Sequence, residues 1–156
     1  MAVQPVEGTP STVIAHEVEA EPVDVAALVW DAAEPILGGW EGPHVRLAVE
    51  PGVGTIVTDR NRLLAVLSRL AEDAREAVRA AGRTAWVDGI EMGARLVDGC
   101  RLLLWVEDRG AGVAAGTVLG LAIARQVVEA LGGTVRLESR QGEGRRVTIA
   151  FPLTRA

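Results

Sequence analysis

The apolar run Leu102–Val106 ends in Glu107-Asp108-Arg109-Gly110-Ala111-Gly112, and a second glycine-rich run, Gly116-Thr117-Val118-Leu119-Gly120-Leu121, follows after only Val113-Ala114-Ala115. No other feature of the chain constrains the fold as much. The apolar run reads as a buried strand with an acid at its end. Gly110 and Gly112 let the backbone turn tightly there and approach a neighbour closely. The second run opens a helix over 119–131, with Leu119, Ile123, Val127 and Leu131 as its buried stripe and Gly132-Gly133 as its stop.

The remaining elements fall around this strand, turn and helix. Residues 1–20 mix Pro, Gly, Ser and Glu and read as a linker or a loosely attached strand (Thr12 to Ile14), leaving 21–156 as one domain. Helical spacing of Val25, Leu28, Val29 and Ala32 predicts a helix over 23–37. Val45, Leu47 and Val49 alternate as a half-buried strand, and a short strand follows at Thr55 to Val57. Asp59 is the N-cap of the longest helix, reaching Ala81, with Leu63, Val66, Leu67, Leu70, Ala74 and Val78 on one face. Two further apolar runs, Thr84 to Met92 and Arg101 to Val106, form a hairpin around Asp98-Gly99, with a loop that can begin at Gly93. Thr134 to Ser139 and Arg146 to Leu153 close the sheet. The sum is an α+β fold: a two-layer α/β sandwich whose mixed, mostly antiparallel sheet is covered on one face by about three helices.

Composition narrows the classes of function. No run reaches the roughly 20 apolar residues of a membrane span. The start lacks the basic and apolar regions of a signal peptide, so a cytoplasmic setting is expected. A net charge of -5, no Tyr and one Phe argue against nucleic-acid binding. Cys100 has no partner thiol and reads as a small apolar strand residue.

Three groups could carry chemistry. Asp108 can accept a hydrogen bond from an exocyclic amine such as that of adenine, although an ordinary turn would need the same glycines. The Gly116–Leu121 run meets a helix N-terminus, where free N–H groups favour phosphate. It is not a lysine-bearing phosphate loop, because no Gly-Lys-Ser/Thr occurs. On the long helix, Arg69 and Asp73 are four apart and share a face, as do Glu72 and Glu76. Asp73 lies beside the apolar stripe and is the candidate ligand for Mg²⁺, which prefers oxygen donors. A solvated charged face is the alternative there.

The order of these parts resembles the catalytic, ATP-binding domain of sensor histidine kinases, within the GHKL superfamily of ATPases. Leu-Gly-Leu-Ala-Ile-Ala-Arg (119–125), Leu-Gly-Gly-Thr-Val (131–135) and Gly-Glu-Gly-Arg-Arg-Val-Thr-Ile (142–149) carry the likeness, which runs from about Glu21 to Pro152. It implies a Bergerat-like fold and ATP or ADP with Mg²⁺ as cofactors. Asp108 would be the adenine-reading acid, and Gly110 and Gly112 the turn beneath the base. Asp73 falls at the family's Mg²⁺-binding asparagine, with Arg69 near the phosphates. Gly116, Leu119, Gly120 and Leu121 fall on the phosphate-side glycine box.

Three departures accompany the likeness. Val118 replaces the middle glycine of that box, Arg145 stands where a small hydroxyl residue is common, and Val113-Ala114-Ala115 occupies the place of a long lid. His16-Glu17 has no room for a histidine-bearing hairpin, and His44 reads as structural or exposed. The resemblance implies an ATP-binding domain that supplies a phosphoryl group to a histidine on a dimerisation domain, in exchange with response-regulator-type proteins. A degenerate domain acting as an interaction module in a phosphorelay is the alternative. An anti-sigma-type serine kinase of the same superfamily is the third reading.

Overall fold

The computed structural model describes residues 18–37, 44–81, 89–110, 115–140 and 144–153, with the backbone alone for 115–119 and 140. In chain order the elements are β1 (Glu21–Asp24), α1 (Val25–Leu37), β2 (Val45–Val49), β3 (Thr55–Thr58) and α2 (Arg60–Ala81). Then come β4 (Ile90–Val97), β5 (Arg101–Asp108), α3 (Ala115–Ala130), β6 (Thr134–Arg140) and β7 (Gly144–Pro152). The main sheet has the spatial order β2-β4-β5-β7-β6; β2 is parallel to β4 and every other pairing is antiparallel. β1 and β3 form a separate antiparallel ribbon.

The helices cover one face of the sheet, as the apolar pattern requires. Ile90, Met92, Leu102, Leu104, Val106, Val147 and Ile149 point to that face and pack in one core with Leu28, Leu63, Leu67, Leu70 and Val128. Fully burying each such Leu contributes about 1.5–3 kcal/mol. The other face carries a charged row in register, Arg46, Glu91, Glu107, Arg146 and Glu138, one residue from each strand. Period-two alternation puts these rows on opposite sides.

Asp59 starts α2 by a local hydrogen bond. Its Oδ1 accepts from the Arg62 N–H at 3.1 Å, and its Oδ2 accepts from the Glu19 N–H at 3.0 Å. Burial pushes this carboxyl up, but the Glu19 and Arg62 N–H groups, the Arg62 charge and the Asn61 N–H outweigh it, so it titrates below the ordinary range. A lowered folded value means stability that is present above the unfolded value of about 4 and lost as pH falls through the folded one. Asp59→Ala is expected to lower the unfolding free energy by about 1–2 kcal/mol at neutral pH. Urea melts should show that gap narrowing in acid; a gap that is constant with pH would contradict the assignment.

The structure differs from the sequence reading in four places. The expected helix over 23–37 is instead strand β1 followed by α1, because Asp24 ends the ribbon and caps the helix, its Oδ1 accepting from the Ala27 N–H at 3.0 Å. β4 does not stop at Met92 but runs to Val97. Gly93 is inside it because Trp105 lies across from it: a Cβ there would sit 2.2 Å from the indole ring. Cys100 is not a strand residue but an exposed one in the turn after Asp98 and Gly99, whose φ angles are 55° and 67°. Finally, α3 begins at Ala115 and buries Leu121, Ala124 and Val128, whereas Ile123 is 55% exposed. Val127 and Leu131 of the expected stripe do pack, partly buried, against the core, while Ile123 is turned out because α2 and β6 meet the side of α3 that carries Leu121, Ala124 and Val128. Gly132 and Gly133 do end α3, donating to Glu129 and Val128 carbonyls in a Schellman arrangement. The expected strand at Thr12 to Ile14, His16, Gly112 and the linking Val113-Ala114 lie outside the described residues.

Candidate functional site

Asp108 is the last residue of β5 and faces the helices. Two backbone contacts fix it there. Gly110 is pressed against α2, where a Cβ would lie 2.7 Å from the Ala77 backbone. Gly144, at φ +90°, lets β7 start against β5, where a Cβ would lie 1.9 Å from the Asp108 carbonyl oxygen. The register that follows sets Arg145 directly opposite Asp108.

Both carboxylate oxygens of Asp108 are engaged. Oδ1 accepts from the Gly110 N–H at 2.9 Å, and Oδ2 accepts from Arg145 Nε at 3.0 Å. The two side chains are only 1% and 2% exposed. Burial pushes the Asp108 carboxyl above its ordinary value, with the Gly110 N–H and the Arg145 guanidinium opposing it. Arg145 Nη1 is itself buried without a hydrogen-bond partner.

Asp73 projects from α2 toward α3. Its Oδ1 is 3.3 Å from Arg69 Nε, while its Oδ2 is buried with no partner. Gly120 lets α3 pack close over this oxygen, since a Cβ there would be 3.0 Å from Oδ2. Burial raises the Asp73 carboxyl; the charges of Arg69 and Arg145 oppose the shift without cancelling it. Arg145 therefore acts electrostatically on both acids.

The fold sets Arg69 and Asp73, midway along α2, against Gly120 of α3, and Asp108 and Gly110 at the end of β5 against the last turns of α2. Leu121 packs into the core. Gly116 and Leu119 lie in the first turns of α3, and Gly112 falls outside the described residues. The sequence reading noted Arg145 as a departure but missed its partner. The available signal was an arginine at the start of a strand that otherwise alternates with core residues Val147, Ile149 and Phe151.

These residues do not fit an adenine nucleotide as they are placed. A base-reading carboxylate needs a lone pair open to the ligand, and that of Asp108 is enclosed and bonded. Asp73 keeps an unbonded carboxylate oxygen of the kind Mg²⁺ takes alongside phosphate oxygens, but that oxygen is buried against α3. Among the described residues, no three His, Cys, Asp or Glu side chains cluster for a metal.

Two surface features adjoin the site. A polar cavity of about 330 Å³ is lined by Glu107, Arg109, Glu138 and Arg146 with the strand ends at Asp108, Gly144 and Arg145. Glu107, Glu138 and Arg146 belong to the row on the uncovered face, so this cavity is not between sheet and helices. There Arg146 stacks on Trp105, 4.8 Å from the ring centroid, and Trp105 Nε1 donates to Glu91 at 2.9 Å. Between α2 and α3, an apolar groove of about 190 Å³ is lined by Ala65, Val66, Ile123, Ala124 and Val127, with Arg62 and Arg69 at its rim.

Comparison with known proteins follows the same outline. Residues 58–155 match the family model "Histidine kinase-, DNA gyrase B-, and HSP90-like ATPase". The chain is 33% identical over 154 residues to the sensor protein DivL of Caulobacter vibrioides, covering 87% of this chain and 19% of that protein. It is 26% identical over 158 residues to the sensor histidine kinase AtsR of Burkholderia thailandensis, covering 88% and 26%. The chain thus spans about a fifth to a quarter of these curated relatives. Among solved structures, full-length ShkA in complex with AMPPNP superposes with a TM-score of 0.75 at 28% identity, over 91% of this chain and 33% of that one. The histidine kinase AdeS of Acinetobacter baumannii shares the fold, with a TM-score of 0.68 at 22% identity over 89% and 70%. The matched segment holds α2, the β4–β5 hairpin, α3 and β6–β7, the elements that build the site; this chain belongs to the histidine kinase-, DNA gyrase B- and HSP90-like ATPase family, as a domain of the histidine kinase type.

Proposed function

We propose that this domain keeps the histidine kinase ATPase fold but has given up nucleotide reading, and works by contact as an interaction module in a phosphorelay. Its partner is a histidine-bearing dimerisation domain or a response-regulator-type protein. One observation carries the reading: the acid that would read adenine is 2% exposed and closed by Arg145. The sensor-protein relatives supply the signalling context. The apolar groove between α2 and α3, with Ile123 half exposed, offers such a partner a seat.

Isothermal titration of the domain with Mg-ADP and Mg-ATP is expected to give no binding heat, and thermal melts no shift, at millimolar nucleotide. A dissociation constant below about 1 mM, equivalent to about 4 kcal/mol of binding, would overturn the proposal. A second reading is the Mg-ATP-binding domain that supplies a phosphoryl group to a histidine elsewhere. The unpartnered Oδ2 of Asp73 beside Gly120 favours it, as the acceptor a magnesium ion would take. In that case Arg145 must leave Asp108 before a base can enter.

A further inference from the structure

We infer that Arg145 is an internal stand-in for the nucleotide base, a latch on Asp108, so that removing this one side chain restores adenine-nucleotide binding. The inference rests on the proposed loss of nucleotide reading and says where that loss resides.

Three observations lead to it. First, the guanidinium gives Asp108 what an aminopurine would give. It is flat and delocalised, with N–H donors at its edge, and its Nε bonds the Asp108 Oδ2 at 3.0 Å. Second, the latch is incompletely satisfied. Arg145 Nη1 and Asp73 Oδ2 are a buried donor and a buried acceptor, and each lacks a hydrogen-bond partner. A packed core that had replaced the pocket would have paired or removed both, since buried polar groups are normally bonded. Third, the glycines beside both acids are kept: Gly110 donates to the Asp108 Oδ1 at 2.9 Å, and Gly120 lets α3 come close to the Asp73 Oδ2, where a Cβ would lie at 3.0 Å. The closure of Asp108 therefore traces to one arginine, held opposite it by strand register.

Arg145→Thr and Arg145→Ser shorten the side chain and leave a hydroxyl beside Asp108. The probes are Mg-ADP, adenosine and inorganic tripolyphosphate, read by isothermal titration and by thermal melts. Both variants are expected to bind Mg-ADP at least about tenfold more tightly than the unsubstituted domain, a difference of about 1.4 kcal/mol. Adenosine is expected to compete, and adding Asp108→Asn to Arg145→Thr should abolish the gain. If either variant is unfolded alone by far-UV circular dichroism, Mg-ADP should refold it, because a ligand of the folded state shifts that equilibrium. Absence of binding, or failure to refold, at 5 mM Mg-ADP overturns the latch. So does tripolyphosphate binding as well as Mg-ADP, which would bypass Asp108. Tight nucleotide binding by the unsubstituted domain would instead overturn the proposed function together with the latch, so the two failures are distinguishable.

Discussion

Replacing Arg145 with alanine is expected to destabilise the domain by about 3–5 kcal/mol, because it leaves the Asp108 carboxylate buried and without its cation. The loss should depend on pH in a defined direction. The Asp108 carboxyl already titrates above its ordinary value, chiefly through burial, although the Gly110 N–H and Arg145 pull it down. Without Arg145 the opposition weakens and the value rises further. A raised folded value means a contribution fully present below the unfolded value and lost as pH rises through the folded one. The deficit of Arg145→Ala should therefore be largest at neutral pH and shrink as pH falls toward about 4, the ordinary carboxyl value, because the buried acid takes up its proton above it. Denaturant melts across that range measure it. Asp108→Asn combined with Arg145→Met removes both charges and should recover most of the loss, since apolar or neutral replacement of a buried pair is often near neutral. A deficit independent of pH would mean that Arg145 acts by packing alone.

Gly144→Ala is the second large effect, expected at about 2–4 kcal/mol. Two penalties coincide there. The residue sits at φ +90°, where an L side chain is strained, and its new Cβ would meet the Asp108 carbonyl oxygen at 1.9 Å. That oxygen belongs to the backbone, so no side chain can move aside to relieve the contact. Strand β7 would have to retreat from β5 at the point where Arg145 faces Asp108. The variant should thus weaken the latch as well as the fold. Thermal melts read the first effect, and Mg-ADP binding by the destabilised variant reads the second. Wild-type stability in Gly144→Ala would show that the strand ends are looser than this packing implies.

Much of this was legible in the sequence, for local reasons. The cap at Asp59, the α2 stripe, the glycine stop after α3 and the two final strands follow from capping, period and turn chemistry within a few residues. Where local signals competed, they misled. Gly93 reads as a loop starter, yet it is a strand residue, because the indole that needs its missing Cβ comes from a strand whose pairing the sequence does not state. Ile123 fits a helical stripe as well as Leu121 does, and the neighbouring helix decided between them. Asp24 fits the helical run by its spacing, but β3 draws it into a ribbon first.

The candidate site divides along the same line. Chain order alone places the acid, the Gly-x-Gly and the Arg69/Asp73 pair at the end of β5 and along α2, because their spacing is a property of neighbours in the chain. That Asp108 is satisfied by an arginine 37 positions away follows from long-range strand pairing. That pairing depends on the register of β5 against β7, which is set by Gly144 at the strand start and by the alternating core residues that follow it. A one-residue slip would turn Arg145 to the charged outer face, leaving Asp108 unpaired. Whether this acid is held by its own protein or offered to a ligand is therefore a consequence of strand register, not of the motif in which it lies.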